Sequence, residues 1–451
     1  MIQEEIFKGE WSLPGGSESF TGTLTYDPLN GAKLEIFGKF DHRFGPISHE
    51  IILGKTKDGW VTLYDTHYSS GGSSNETGIV VSAYAPSFIF VGHQFQNLNE
   101  LQFSSVSFSL FNLIEWTGFD GLSKEGEPPT HSFEYVKPKN INFKCYEGCE
   151  AKIEFDLSGR YLNAFYNIQL DQTCKVTFQY TLKKIFRDIL SDIFTFLGFI
   201  TLCTYEQSYP LTIFFSSNDI IDKFILDNLK KLTIKPIKCI YQNSFYNPDY
   251  KIKKLYQHLI KFESIAEQFG SIITNWFAKS KELEPVIKLL LLSFVNKYEF
   301  TTEKFMDMTR ALETFHRQSF PNELIPKKEF ANRLKKLCST EQLPFEGKWL
   351  NDKLQFANEP SLKERLEELV RVYSFQYFNE RVTNTATLCK QARDSRNYYT
   401  HFNKKLKNKS LKGKELFDLT ENLKLLLISA VFKSIGISSD SFEQAARMLV
   451  Y

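Results

Sequence analysis

Along the first 180 residues the apolar positions fall in short alternating or continuous runs. These are Gly22–Tyr26, Leu34–Phe37, Ile51–Gly54, Trp60–Tyr64, Ile79–Ser82, Phe88–Gly92, Val106–Ile114 and Lys152–Asp156. Gly15-Gly16, Leu29-Asn30-Gly31, Lys57-Asp58-Gly59 and Ser70-Gly71-Gly72-Ser73 punctuate them. Close spacing of short runs and turn signals predicts a β-rich unit, either a sandwich or a barrel-like sheet. Lys57-Asp58-Gly59 suits a tight hairpin, because glycine accepts a positive φ. Over Leu182–Cys203 the period lengthens. Ile185, Ile189, Ile193, Phe196 and Ile200 share one stripe, which predicts a helix near 182–203. Asp188 and Asp192 fall off that stripe, as expected of a packed amphipathic helix rather than a membrane span.

Asn247-Pro248-Asp249 marks a turn, and the pattern changes beyond it. Helical periods are predicted near 251–269, 284–298, 302–319, 327–338, 361–379, 385–400 and 415–435. Thr301 offers a capping hydroxyl to the third of these. The reading is α+β and multidomain: a β-rich unit over 1–248 and an all-α bundle over 249–451.

Composition narrows the class. At 451 residues, 42% hydrophobic and 24% charged, the chain is globular and long enough for two or more domains. Its longest apolar runs, 193–203 and 286–295, fall short of the roughly 20 residues a bilayer span needs. The opening MIQEEIFKGEW has no apolar leader region, so no secretion signal is expected. Seven cysteines without a paired framework fit reduced thiols in a cytoplasm. Cys145 and Cys149 are the one close pair, with His131 and Cys174 the nearest further ligands. That spacing is loose for zinc, so neither a metal nor a cofactor is expected. Charge is asymmetric: residues 1–250 hold 21 basic and 29 acidic residues, net −8, whereas 251–451 hold 34 and 24, net +10. A basic half is the electrostatic footprint of a polyanion binder, although lysine-rich helical surfaces are common.

The candidate chemistry lies in Ala392–Phe402, A-R-D-S-R-N-Y-Y-T-H-F. On a helix Arg393, Asn397 and His401 fall at i, i+4 and i+8, with Arg396 at the edge of that face. Histidine exchanges protons near neutrality, and arginine keeps its charge and grips phosphate oxygens. Six lysines follow without an acid between them: Lys404, Lys405, Lys407, Lys409, Lys412 and Lys414. Such a run can neutralise several phosphates, or be a solvated loop. Arg-to-His spacing alone is weak evidence, since Arg43…His49 and Arg310…His316 come close to it. Only Arg396…His401 combines a helix, an adjacent Asn and a basic run. Glu313 is a candidate to orient the Arg or the His, or else an ion-pair residue of its own helix. Tyr398 and Tyr399 read as packing ahead of base stacking, and Trp11, Trp60 and Trp116 as core.

Arg396-Asn397-Tyr398-Tyr399-Thr400-His401 resembles the Arg-x4-His signature of HEPN ribonuclease domains. Gly9-Glu10-Trp11-Ser12-Leu13-Pro14, Gly22-Thr23-Leu24 and Leu34-Glu35-Ile36-Phe37-Gly38 resemble the opening of the ApeA N-terminal domain. Ile52-Leu53-Gly54 and Trp60-Val61-Thr62-Leu63 continue it. The order of the two is that of ApeA-type bacterial anti-phage abortive-infection proteins. The resemblance implies a helical, metal-independent endoribonuclease that works as a homodimer or higher homo-oligomer. Arg396 and His401 would be its active pair and Asn397 the accompanying polar residue. It also implies a bacterial cytoplasmic setting and cellular RNA, above all transfer RNA, as substrate. A phage-derived trigger would act at the N-terminal domain.

Two other readings compete: a HEPN-like module that holds RNA or protein without cutting, and a carbohydrate-binding β-domain on a helical scaffold. The intact Arg, Asn and His set favours cutting over holding. The chain has no P-loop, dinucleotide-binding glycine pattern or HExxH sequence.

Overall fold

A computed structural model describes residues 2–40, 47–73, 77–126, 132–163, 167–226, 229–295, 301–339 and 347–441. Two compact units emerge, Met1–Phe277 and Ala278–Tyr451.

The first unit is built on β1 (Glu5–Ser12), β2 (Ser19–Asp27), β3 (Gly31–Phe37), β4 (His49–Thr56), β5 (Gly59–Ser73) and β6 (Val80–Val91). Antiparallel pairing in the order β6-β3-β2-β1-β4-β5 returns to β6, so these six close into a barrel. Period-2 alternation puts Phe7, Trp11, Leu24, Tyr26, Leu34 and Ile36 inside. Gly54 is required there: a Cβ on it would lie 2.4 Å from the Trp11 ring. Trp60, expected in the core, is 45% exposed.

The sheet continues past the barrel through β6. Residues 81–84 of β6 pair with β3, and residues 88–91 pair with β16 (Ile237–Tyr241). Pro86 sits at the changeover, opposite Thr66 of β5. Beyond β16 follow β13 (Pro210–Ser216), β7 (Gln102–Leu110), β12 (Asn167–Ile185), β11 (Cys149–Asn163) and β10 (Ile141–Tyr146). Two ribbons stand apart, β8 (Leu122–Glu125) with β9 (Ser132–Tyr135), and β14 (Ile221–Leu226) with β15 (Leu229–Ile234). The run expected as strand over 106–114 ends at Leu110, and α1 (Leu113–Thr117) follows.

The helix expected near 182–203 is α2 (Phe186–Thr204), with Ile189, Ile193, Phe196 and Ile200 buried. Asp192, expected off the packed stripe, is buried as well. Its carboxylate accepts hydrogen bonds from Tyr146 (2.5 Å), Tyr180 (3.1 Å) and Lys184 (2.7 Å). Burial of a carboxylate is tolerable because every donor is supplied. The Cys145 and Cys149 side chains are buried at the neighbouring hairpin, and burial pushes the Cys145 thiol far above its ordinary range. Cys174 lies six rungs along the same ladder, opposite Phe155. His131 lies outside the described residues. Among the described residues no three His, Cys, Asp or Glu side chains converge on a metal position.

Residues 249–277, placed by their sequence with the helical half, pack in the first unit. Trp116 Nε1 donates to Ile260 O (2.8 Å), Ile260 N donates to Cys203 O (2.9 Å), and Trp276 Nε1 donates to Thr195 O (2.7 Å). The two bonds at Ile260 take up backbone groups that a helix would have used. The expected helix over 251–269 is therefore reduced to 3-10 turns at Leu255–Gln257 and Phe262–Gln268, before α3 (Phe269–Glu282).

The second unit is helical: α4 (Glu284–Leu292), α5 (Thr302–Ser319), α6 (Lys327–Cys338), α7 (Gly347–Leu354), α8 (Leu362–Tyr373), α9 (Gln376–Arg381), α10 (Thr385–His401) and α11 (Gly413–Ser434). The expected helix over 361–379 breaks at Ser374, whose backbone is extended. α5 packs against α4, α8, α10 and α11. Phe305, Leu312 and Phe315 of α5, Leu366 and Leu369 of α8, and Leu423 and Leu427 of α11 are buried. Among the described residues no helix is long and apolar enough to cross a membrane.

Candidate active site

Helix α10 starts where Asn384 Oδ1 caps Thr387 N (2.9 Å) and ends at His401. Leu388, Cys389, Ala392 and Ser395 face inward, which turns the polar residues toward solvent. Arg396 is one-third exposed and is held from two sides. Its Nη1 donates to Asn397 Oδ1 (3.2 Å), and its Nη2 donates to Glu313 Oε2 (3.4 Å) on α5. Glu313 thus takes both places offered by its sequence, because Arg317 Nη2 also donates to it within α5 (3.2 Å).

Behind this contact lies a chain of alternating charge. Arg317 pairs with Glu359 (2.8 Å), and Glu359 pairs with Arg365 (3.4 Å). Arg365 is 1% exposed, donates to Asn322 Oδ1 (2.5 Å) and donates to His316 Nδ1 (3.0 Å). His316 Nε2 lies 2.9 Å from Glu368, which also takes Arg371 (2.8 Å). The donors fix the imidazole. Arginine only donates and carboxylate only accepts, so Nδ1 carries the lone pair and Nε2 the proton. Burial first, and the Arg365 charge next among the lowering influences, hold His316 below its ordinary pKa and keep it neutral. Sequence reasoning missed Arg365, because an arginine on an amphipathic helix reads as a solvated face.

The other end of the signature is open. His401 is exposed and makes no hydrogen bond or ion pair among the described residues. Phe402 terminates the helix in the left-handed region (φ 48°, ψ 35°), and its N–H donates to Tyr398 O (2.6 Å). That conformation costs a non-glycine residue roughly 1–2 kcal/mol. Lys404, Lys405, Lys407, Lys409, Lys412 and Lys414 are all exposed. Their segment is pinned at its far end, where Leu411 N donates to Ser395 Oγ (3.0 Å) and Tyr399 Oη donates to Leu411 O (2.7 Å). Tyr399 therefore packs, as expected. Arg393 is drawn onto the neighbouring Asp394 by Nε (2.9 Å) and Nη2 (2.6 Å), so its guanidinium is already paired.

Two family models match the chain. Residues 6–276 match the family described as ApeA N-terminal domain 1, and residues 306–441 match Apea-like HEPN. Neither the curated proteins nor the solved structures yield a match.

Proposed function

Since the chain belongs to the ApeA family and joins its N-terminal domain to an Apea-like HEPN domain, the layout of an anti-phage HEPN nuclease module, we propose the following activity. The protein is a metal-independent endoribonuclease that cuts cellular RNA, foremost transfer RNA, in the bacterial cytoplasm once a phage component engages residues 1–277. The observation that carries this reading is the pairing of a braced Arg396 with an unencumbered His401, beside six exposed lysines.

In this mechanism the RNA supplies its own nucleophile. The 2′-oxygen attacks the adjacent phosphorus and loses its proton to a neutral imidazole, while the P–O5′ bond breaks and the 5′-oxygen takes up a proton. The products are a 2′,3′-cyclic phosphate and a 5′-hydroxyl. His401 handles the proton, and Arg396 stabilises charge on the phosphate oxygens. A homodimer brings the second copy's His401 to the opposite side of the phosphate, so base and acid come from different chains. Asn397 and Glu313 aim the Arg396 guanidinium. The lysine segment draws in the backbone of the RNA, and Arg393 joins it when Asp394 releases its charge.

Carboxylates near Arg396 are occupied by guanidinium groups, which supports chemistry without a divalent ion. The deciding experiment incubates the purified full chain and its His401→Ala variant with total RNA in excess EDTA and maps the ends. Cyclic-phosphate ends from the wild type alone are expected. Strict Mg²⁺ dependence with 3′-hydroxyl ends would overturn the mechanism, and RNA binding without cutting would leave a holding module.

A further inference from the structure

Phe402 combines three properties that packing does not explain. It occupies a backbone region normally left to glycine or asparagine. It is 71% exposed, so burial does not repay that conformation. It directly follows His401 and lies two residues before the first lysine of the basic run. Asn403, a residue better suited to the left-handed position, stands one place later and instead caps Lys405 N (3.0 Å). The ring meets Tyr398 edge-on at 5.9 Å, which steadies it while leaving its surface open to solvent. Strain kept at an exposed aromatic beside a candidate site is the pattern of a functional constraint.

We propose that Phe402 is the platform on which the base next to the cut phosphate stacks. This inference rests on the ribonuclease reading above and narrows its substrate. A base can lie on an external ring only when it is free of its own helix, so the cut falls at an unpaired nucleotide of a loop or single strand. The left-handed turn redirects the chain immediately after His401, so the ring is carried by the residue next to the imidazole. Stacking is tolerant of base identity, because every base has a π-face. The site therefore selects for single-strandedness ahead of sequence.

The test uses full-length protein and a short single-stranded oligoribonucleotide carrying one 2-aminopurine beside the mapped cut. A second strand carries an abasic ribose there. In a His401→Ala background, which holds RNA uncut, binding should quench the 2-aminopurine. Phe402→Tyr should preserve the quench, and Phe402→Leu and Phe402→Ala should lose it. With His401 intact, Phe402→Ala should lower kcat/KM about tenfold on the base-bearing strand and leave the abasic strand unchanged. Phe402→Gly separates this role from a structural one. It relieves the backbone, so Tm should rise while kcat/KM falls. The proposal is overturned by an unchanged quench, by kcat/KM within twofold of wild type, or by an equal loss on both strands. A change in oligomeric state by light scattering with the quench intact would make Phe402 an interface residue and would also overturn it. Quenching without any His401-dependent cleavage would sustain the platform and defeat the ribonuclease reading, so the two failures are distinct.

Discussion

The two ends of the Arg396–His401 signature are built in opposite ways. Arg396 is reached by Asn397 and Glu313 and is backed by charges that run through α5 and α8 to the buried Arg365. His401 and Phe402 protrude from the last turn of the same helix with no ion pair among the described residues. The contrast is what the proposed chemistry would ask for. A group that supplies a fixed charge gains from being aimed beforehand. A group that must give and take protons, and a ring that must receive a base, need access instead.

The largest expected effect is at the open end. His401→Ala should reduce RNA cleavage on the order of 10²–10⁴-fold. Its side chain touches nothing that holds the fold, so stability should move by less than about 0.5 kcal/mol. Rates beside melting curves check this, and a well-folded variant that still cuts would end the assignment of His401.

The braced end should respond in the reverse sense. Arg365→Met removes the donors to His316 and Asn322 in a 1%-exposed position and leaves Glu359 with Arg317 alone. A loss of about 3 kcal/mol in urea unfolding is expected. A loss below about 1 kcal/mol would show that the charge chain does not brace anything.

Glu313→Gln tests the link between Arg396 and the charge chain behind it. The Arg396 contact is long and part-exposed, so stability should change by about 0.5 kcal/mol or less. The predicted cost is in aim, with kcat/KM falling about tenfold and restored by Glu313→Asp only in part. Equal rates for Gln and Glu would detach Glu313 from the site.

Replacing Lys404, Lys405, Lys407, Lys409, Lys412 and Lys414 with Gln should weaken RNA binding across sequences. The slope of log K against log salt should flatten by up to about 4, the single-strand value for six phosphates. An unchanged slope would return the run to an ordinary solvated loop.

The smallest effect is in pH. His316 is held below its ordinary value of 6.5 in the fold, by burial first. Its contribution is therefore present above about pH 6.5 and declines as the pH falls, because the unfolded chain takes the proton first. Tm should drop on acidification through that range, and His316→Gln should show a shallower slope. An identical slope would assign the acid sensitivity elsewhere.

Local signals in the sequence were readable where the structure is local. Helices α5 and α6 match the expected 302–319 and 327–338, and α10 runs to His401, because caps and hydrophobic period are short-range features. Thr301 Oγ1 does accept from Lys304 N (3.4 Å). Barrel closure was not readable. It depends on β1 lying beside β4 and on β5 and β3 sharing β6, pairings that no window of residues encodes. The Arg396–Glu313 contact joins positions 83 residues apart, and the sequence offered it only as one of two roles for Glu313. Asp192 was misjudged because helical periodicity counts only apolar partners, and its partners are two tyrosines and a lysine on other elements.

The changeover of partners along β6 sets a timetable for synthesis. The barrel's six strands are complete once about 91 residues have emerged, but the outer edge of Phe88–Val91 waits for β16, about 150 residues later. At the usual pace of translation that edge stays unpaired for roughly 10–30 s on each ribosome. Phe88, Ile89 and Phe90 lie on it, an apolar stretch of the kind that recruits other nascent chains. Yield in the cell should therefore depend on what shelters the growing chain during that interval, more than on the finished stability of either unit.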